Sequence, residues 1–449
     1  MRRGLWLWSP AAAAVLVRLA LWLWGGLYAL EASDLRLDTV EYHALGVSLS
    51  EGRGFVYDEP SYDPPYEVAT LRTPGYPALI ASVYAWPGPR PGWVLLLQIL
   101  LDAASCALLA WTVHPVLSER GGAVAALVLA LHPVAALYSQ TLLNESLFVF
   151  LLVGAFALLW GPTRRDPLRW RRVAGAGGTL GLAILVKPFA LWMVPLMAAV
   201  WVWTQGLGRL PVRRALALVG VAAMVVAPWV ARNAVVHDRA FLSTSGAYNA
   251  LALYAAPVEA RVTGQTLGDA TRALLARAEE RARESGRLGA EAGDLARAPF
   301  WREEAFAVLA RHPVTVVELE TKGLARLFLS IGRVSRQQVI GEREARPLNP
   351  GVSGALRWWA AEPLQDQVLD VWALLAALTL YPLMLVGVVR AVRHRKGGLV
   401  LAAGGLAAFF VLTTAIPGYS RFLLPALPFL AVVAGCAVSP LVGSPGTDD

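Results

Sequence analysis

Residues 121–161 read GGAVAALVLALHPVAALYSQTLLNESLFVFLLVGAFALLWG, and only one of their side chains, that of Glu145, carries a full charge at neutral pH. A membrane-spanning helix needs about 20 mostly apolar residues, so this stretch has room for two spans joined by the polar turn 139–146. The whole chain agrees, because 56% of its 449 residues are hydrophobic and 16% are charged. Soluble domains carry about 25% charged residues. The composition excludes a soluble enzyme, a disordered chain and a secreted disulfide scaffold, and it predicts an all-α polytopic membrane protein.

Ten apolar stretches are long enough to span a membrane, although the fifth and sixth are short and meet at Pro188. The first follows Met-Arg-Arg without a small-residue cleavage site, so we expect an anchor rather than a signal peptide. An eleventh stretch, 76–86, is too short to span, and we expect an interfacial or re-entrant helix there. The predicted spans are residues 5–27, 94–113, 121–138, 145–161, 173–187, 189–204, 213–231, 368–389, 398–416 and 421–439.

The distribution of charge predicts the orientation of these spans. With ten spans and a cytoplasmic N-terminus, the cytoplasmic loops hold fifteen basic and four acidic residues, and the rest of the chain is net negative. Counting 76–86 as a span would move the arginines of 164–172 outside, against the positive-inside rule. We therefore expect both termini in the cytoplasm of a cell-membrane protein. The net charge of +8 reflects this topology, and nucleic acid is not an expected partner.

Two segments then lie outside the membrane and divide the chain into three parts. Residues 1–231 form a transmembrane catalytic core that includes a structured outer loop, 28–93. Residues 232–367 form a mostly helical outer segment with amphipathic helices. Residues 368–449 supply the C-terminal transmembrane helices.

The first outer loop contains most of the side chains that could take part in catalysis or binding. Asp38, Glu41 and Tyr42 share one face of a predicted helix by their i, i+3, i+4 spacing. The same spacing fits a capping box, in which Asp38 caps the helix and Glu41 completes the box. Further on stands Arg72-Thr73-Pro74-Gly75-Tyr76-Pro77. An arginine at the outer bilayer surface is suited either to grip a lipid phosphate or simply to snorkel.

The order of several motifs resembles the polyprenyl-phosphate-sugar-dependent glycosyltransferases of the glycosyltransferase-C superfamily, in particular protein O-mannosyltransferases and the lipid A aminoarabinose transferase. Each fragment is short, and their shared order carries the resemblance. The motifs are Asp38–Glu41–Tyr42–Ala44, Gly52-Arg53-Gly54-Phe55, Arg72 to Pro77, Leu143-Asn144-Glu145-Ser146-Leu147-Phe148, Gly181-Leu182-Ala183, Val186-Lys187-Pro188, Pro228-Trp229 with Arg232-Asn233, and Tyr419-Ser420-Arg421-Phe422.

The resemblance implies roles for particular residues. Asp38 matches the proposed catalytic base, Arg72 the basic residue that contacts the lipid phosphate, and Glu145 and Lys187 an acidic and a basic residue at the ends of spans. The topology derived from charge independently places these four and Arg421 on the outer side. The candidate catalytic residues are thus Asp38, Glu41 and Glu145, the candidate phosphate-binding residues are Arg72, Lys187 and Arg421, and the supporting candidates are Tyr42, Tyr76 and Arg232.

The implied reaction is an inverting transfer of a sugar from a polyprenyl-phosphate donor to a hydroxyl of a glycan, a lipid or a protein, among membrane lipids. Whether a divalent cation takes part is open, because Thr39 stands where several relatives have a second acidic residue. His43 and His237 lack ligand-spaced neighbours, so no histidine metal site is expected.

Simpler interpretations of single residues remain beside this one. Asn144 and Glu145 also fit an ordinary helix start, and Lys187 also fits a snorkelling lysine. At the level of function, a transporter or flippase of a lipid-linked sugar and a catalytically inactive relative are the alternatives. Arg18 lies in the middle of the first span and needs a partner that the sequence does not identify.

Overall fold

The computed structural model describes residues 5–57, 67–86, 88–162, 168–286, 293–329, 360, 363–393 and 397–439. Over these residues the protein is helical and contains no strand. Short 3-10 turns at Pro188–Trp192 and Ser420–Leu423 and a π-helical turn at Ala250–Ala255 connect some of the helices. The helices are α1 Leu5–Trp24, α2 Asp38–Ser50, α3 Val68–Leu71, α4 Gly75–Tyr84, α5 Pro91–Leu131, α6 Pro133–Tyr138, α7 Glu145–Trp160, α8 Leu168–Val186, α9 Met193–Gln205, α10 Arg209–Val236, α11 Ser245–Asn249, α12 Ala256–Thr263, α13 Leu267–Glu284, α14 Asp294–Arg311, α15 Pro313–Leu329, α16 Leu364–Arg393, α17 Gly397–Thr413 and α18 Leu427–Cys436.

Five described helices are long and apolar enough to cross a membrane, and three shorter apolar helices accompany them. The chain is therefore a multi-pass membrane protein. Each of the ten predicted spans overlaps a helix, while the number of crossings remains a prediction. The five long helices are Trp6–Trp24, Pro91–Leu131, Pro188–Gln205, Arg209–Val236 and Leu364–Arg393.

The 41-residue helix α5 contains the second predicted span and the start of the third. Its backbone leaves the helical region at Ser118, where φ is 65° and ψ is 170°. Pro115 lies one turn earlier and cannot donate a backbone hydrogen bond. The break at Ser118 lies between the predicted spans 94–113 and 121–138, where the predicted topology requires the chain to reverse direction.

Aromatic side chains join α7 to the C-terminal helices. Phe148 meets Phe410 with ring centroids 6.5 Å apart, and Phe156 meets Phe429 at 5.5 Å. Phe410 and Phe429 stack nearly parallel, at 9°. All four rings are buried. Because lipid is as apolar as these side chains, close packing rather than water exclusion holds such helices together.

The short helix α4 covers most of the stretch 76–86, and its ten residues are too few to cross a bilayer. Its interfacial or re-entrant placement stays a prediction. The helix packs against α2 and against the end of α8. A Cβ atom on Gly75 would lie 2.7 Å from the carbonyl carbon of Leu185, so only glycine permits this approach. This contact brings the residues just before α4 close to the end of α8.

The segment predicted to lie outside the membrane after residue 231 contacts the part of the first loop that leads into Arg72. Residues of α11 to α15 form a separate buried cluster around Leu251 and Trp301. Three hydrogen bonds attach this segment to the first outer loop: Thr244 N donates to Thr70 O at 3.0 Å, Ser243 Oγ to Leu71 O at 2.5 Å, and Glu67 N to Asp294 Oδ2 at 2.5 Å. The position of Arg72 therefore depends on Ser243, Thr244 and Asp294 as well as on its own loop.

The predicted orientation leads to a labelling experiment. A cysteine at Gln265 should react with an impermeant maleimide added to intact cells, whereas a cysteine at Leu207 should react only after the cells are opened. Gln265 is exposed, and Leu207 is 90% exposed, so burial would not explain silence at either position. The native Cys106 and Cys436 are buried and should contribute little background. Labelling of the Leu207 position alone in intact cells would invert the orientation.

Candidate active site

The start of α2 presents Asp38 to the rest of the molecule. Leu37 precedes it with φ 53° and ψ −137° and makes no side-chain cap. The Thr39 hydroxyl instead accepts a hydrogen bond from Arg36 N at 2.9 Å. Asp38 is thus the first helical residue, and the capping-box interpretation of Asp38 and Glu41 is wrong. Both carboxylates bind an arginine from a distant part of the chain.

Arg72 binds two carboxylates of α2. Its Nη2 donates to Asp38 Oδ1 at 2.9 Å and its Nε donates to Glu41 Oε2 at 2.5 Å. Its guanidinium also lies 4.9 Å from the centre of the Tyr42 ring. The Glu41 side chain is fully buried, so its charge depends on this partner.

Arg421 completes the surroundings of Asp38 from the other end of the chain. It lies in the 3-10 turn Ser420–Leu423, and its Nη1 donates to Asp38 Oδ2 at 2.9 Å. Burial by itself raises the pKa of Asp38, but the guanidinium groups of Arg72 and Arg421 outweigh it and hold that pKa well below its usual range. Asp38 is therefore ionised at neutral pH and weakly basic while both arginines hold it.

A second ion pair lies beside the first. Lys187 follows the end of α8, and its Nζ lies 3.1 Å from Glu145 Oε1 at the start of α7. The ammonium also faces the rings of Phe148 and Phe422, 5.6 Å and 5.9 Å from their centres. Phe422 in turn lies under Arg421, at 5.2 Å. The two ion pairs therefore share one aromatic wall.

Asn144 joins the two pairs, although the sequence placed it in a motif without a role in the site. Its Nδ2 donates to Tyr42 Oη at 2.8 Å and to the carbonyl oxygen of Val186 at 3.0 Å. It precedes Glu145, and Val186 precedes Lys187. A single amide thereby fixes α2 relative to the Lys187–Glu145 pair. Its side chain does not cap α7, so only the tertiary structure identifies this function.

The supporting candidates divide into two groups. Tyr42 contacts Arg72 and Asn144, and Tyr76 packs edge-on against the Tyr42 ring at 5.0 Å. Arg232 lies elsewhere: its guanidinium faces the rings of Trp229 and Phe55 at 5.0 Å and 5.9 Å and donates to Asn233 Oδ1 at 2.9 Å. Among the described residues, Arg232 does not contact Asp38, Glu41 or Glu145.

The cluster is electrically balanced. Its three cations and three carboxylates have a formal charge of zero, and each cation has at least one carboxylate partner. Among the described residues, no group of three or more His, Cys, Asp or Glu side chains has an arrangement that would hold a metal ion. An anion that enters must therefore compete with carboxylates for the arginines and the lysine. The members are Asp38, Glu41, Glu145, Arg72, Lys187 and Arg421, which we call the ion-pair cluster.

One known protein family matches part of the chain. Residues 72–231 match the family model described as dolichyl-phosphate-mannose-protein mannosyltransferase. The matching segment contains Arg72, Glu145 and Lys187 of the ion-pair cluster. No curated protein matches the chain.

Solved structures share the fold at low sequence identity. The apo oligosaccharyltransferase of Archaeoglobus fulgidus superposes with a TM-score of 0.53 at 14% identity, over 96% of this chain and 50% of that one. The archaeal oligosaccharyltransferase AglB of the same organism, in complex with an inhibitory peptide and a dolichol-phosphate, gives 0.52 at 14% identity, over 97% and 50%. ArnT from Cupriavidus metallidurans bound to undecaprenyl phosphate gives 0.44 at 15% identity, over 93% and 77%.

The chain spans about half the length of the archaeal oligosaccharyltransferase. The family match over 72–231 and the shared fold confirm the predicted resemblance to the glycosyltransferase-C superfamily.

Proposed function

We propose that this relative of the glycosyltransferase-C enzymes is a membrane glycosyltransferase that moves a sugar from a polyprenyl-phosphate donor to an acceptor hydroxyl. One observation carries the proposal: the Asp38 carboxylate lies between the guanidinium groups of Arg72 and Arg421, each 2.9 Å away. A group that can accept a proton therefore lies beside cations that can hold a phosphate. Transfer of a sugar from a phosphate requires both.

The chemistry is a single displacement. The acceptor oxygen attacks the anomeric carbon, the bond from that carbon to the phosphate oxygen breaks, and its electron pair stays on the phosphate. The acceptor proton passes to Asp38. Arg72, Lys187 and Arg421 stabilise the charge that grows on the leaving phosphate, the kind of preorganised electrostatic effect that lowers many enzymatic barriers. Attack opposite the leaving group inverts the anomeric centre.

The contacts of Asp38 with Arg72 and Arg421 add an exchange to this scheme. The guanidinium groups that would hold the phosphate hold Asp38 instead, and they keep its pKa low. A phosphate that takes over Arg72 and Arg421 removes the two influences that lower this pKa, so Asp38 becomes a stronger base. The donor phosphate would thereby prepare the base that its own transfer needs.

The predicted topology assigns the reaction to the outer face of the cell membrane, with both termini in the cytoplasm. The donor is a polyprenyl-phosphate-linked sugar, and the acceptor is a glycan, a lipid or a protein. The outer segment 232–367 contacts the loop that carries Arg72, which makes it the natural place for acceptor recognition.

A transporter of the same lipid-linked sugar is the second candidate function, and a nanodisc experiment separates the two. Because a nanodisc has no compartments, transport produces no chemical change there. With a labelled polyprenyl-phosphate sugar and a cell-envelope extract as the source of acceptors, we expect release of polyprenyl phosphate and label in a new product. Mass spectrometry of both products is the measurement. The experiment is repeated with donors that carry different sugars. If every donor stays intact in nanodiscs while donor crosses the membrane of proteoliposomes, the transporter is favoured.

A further inference from the structure

Arg18 and Asp102 form a buried ion pair between α1 and α5. Arg18 Nε lies 2.7 Å from Asp102 Oδ2, and Arg18 Nη1 donates to the carbonyl oxygen of Ala130 at 2.7 Å. Arg18 is fully buried, and Asp102 is 7% exposed. Charged side chains within spans are rare because they are expensive to bury, and their presence usually marks a function. The mechanism proposed above uses neither residue.

A small cavity connects this pair with the ion-pair cluster. Its walls include the polar residues Arg18, Asp102, Ser105, Glu145 and Ser146 and the apolar residues Leu129, Ala135, Val149 and Leu424. The space open to the centre of a water molecule is about 10 Å³, which is roughly what one ordered water needs. Because five of the nine lining residues are polar, a water molecule in this space has the several polar partners that it needs.

Glu145, which lines this cavity, has a buried carboxylate oxygen that no side chain or backbone group satisfies among the described residues. Its Oε1 binds Lys187, whereas its Oε2 is buried and has no hydrogen-bond partner among the described residues. The side chain is 3% exposed. A buried carboxylate oxygen without a partner is costly, so the cavity supplies the place from which a water can satisfy it.

Two buried glutamine side chains near this cavity, Gln98 and Gln140, fix the turn that leads to Glu145. Gln98 Nε2 donates to the carbonyl oxygens of Ser139 and Thr141, both at 2.9 Å, and Gln140 Nε2 donates to the carbonyl oxygen of Arg18 at 3.3 Å. The turn therefore lies against the helices that carry Arg18 and Asp102. The position of Glu145 therefore depends on the contacts of this turn with α1 and α5 as well as on Lys187.

We propose that Arg18 and Asp102 are positioning residues for donor-phosphate binding, and that one buried water links them to Glu145. The water satisfies Glu145 Oε2 and fixes the orientation of the carboxylate, so that Oε1 holds Lys187 Nζ where the phosphate arrives. This inference rests on the proposed function of the ion-pair cluster. It assigns no direct contact between Arg18 or Asp102 and the substrate.

The test compares binding of undecaprenyl phosphate to variants in nanodiscs. Replacing one partner alone leaves an uncompensated buried charge and risks unfolding, whereas replacing both with apolar residues is often tolerated. The double variant Arg18→Leu/Asp102→Leu is therefore the main one, and its Kd should rise about tenfold, the same as 1.4 kcal/mol. Phe156→Leu, a buried change in α7 away from the cluster, controls for a general loss of stability, which melting curves would quantify.

A cycle with Lys187→Ala distinguishes positioning from a structural effect. If the pair acts through Lys187, the double replacement should change Kd less than about twofold once Lys187 is alanine, because coupled residues are not additive. An equal, tenfold effect in both backgrounds would overturn the inference while leaving the proposed function intact. An unchanged Kd in Lys187→Ala itself would overturn both the phosphate assignment of Lys187 and this inference.

A second variant tests the water without removing any charge. Ser105→Val places a methyl group at the cavity wall and should displace the water, and we expect Kd for undecaprenyl phosphate to rise several-fold in the same direction. Thr112→Val is the matched control, because Thr112 is also buried and lies about two turns further along α5. If neither Ser105→Val nor the double variant changes Kd in folded protein, the link from Arg18 and Asp102 to Glu145 does not exist.

Discussion

Replacing Asp38 with asparagine is expected to lower glycosyl transfer by about 10²–10⁴-fold, the usual contribution of a positioned general base. Asparagine keeps the size of the side chain and one oxygen for a guanidinium, but it does not take up a proton near neutral pH. Transfer from a polyprenyl-phosphate sugar in nanodiscs is the measurement. A melting curve of the same preparation shows whether the protein remains folded.

The same substitution is expected to tighten the binding of undecaprenyl phosphate, by about tenfold. Asp38 competes with the phosphate for Arg72 and Arg421, and a charge-assisted hydrogen bond contributes about 1.5–3 kcal/mol. Without the carboxylate charge, both guanidinium groups are easier to take over. Loss of turnover with a gain in ligand affinity is a combination that a damaged fold does not produce.

A matched control for this experiment lies in the same loop. Asp34→Asn changes an exposed carboxylate that only accepts a hydrogen bond from Glu31 N, and it should leave both transfer and binding unchanged. Normal turnover in Asp38→Asn would remove Asp38 as the base and direct attention to Glu145. Slow turnover with unchanged affinity would retain the base but contradict the exchange between Asp38 and the phosphate.

Removal of Arg72 should have the second-largest effect, on donor binding rather than on the chemical step alone. A change to alanine would leave the buried Glu41 carboxylate without this partner, which is strongly destabilising. The double variant Arg72→Gln/Glu41→Gln avoids that problem. If Arg72 donates one or two charge-assisted hydrogen bonds to the donor phosphate, affinity should fall at least about tenfold.

Arg72→Lys provides the conservative comparison. An ammonium keeps the charge but cannot form the two parallel hydrogen bonds of a guanidinium, so donor affinity should recover only in part. Arg53→Ala is the control, because Arg53 pairs with Glu51 at an exposed site of the same loop. Unchanged donor affinity in the Arg72→Gln/Glu41→Gln variant would remove Arg72 from the phosphate site.

The sequence predicted the helical fold well, because apolar length and the position of arginines are local properties. The break of α5 at Ser118 lies between two predicted apolar stretches, and the short helix α4 coincides with the stretch that is too short to span. The number of membrane crossings stays a prediction, since helix length alone does not place a bilayer.

The site was predictable in its members but not in its contacts. The i, i+3 spacing of Asp38 and Glu41 is equally suited to a capping box and to a shared partner, and only the arrival of Arg72 from another element decides between them. Arg18 shows the same limit, because its partner Asp102 is 84 residues away. Arg232 belonged to a sequence motif, yet its guanidinium stacks on Trp229 instead.

The electrical balance of the ion-pair cluster has a consequence for turnover. A polyprenyl-phosphate sugar carries one negative charge at its phosphate, whereas the product phosphate is a monoester that carries between one and a half and two, roughly. Under the proposed function, the cluster would bind the product phosphate more firmly than the donor, and a site with three unopposed cations would release it slowly. Asp38 and Glu145 are tethered beside those cations at a high effective concentration. Once Asp38 has released the acceptor proton to water, it returns to Arg72 and Arg421 while Glu145 returns to Lys187, and the two carboxylates act as built-in eluting anions.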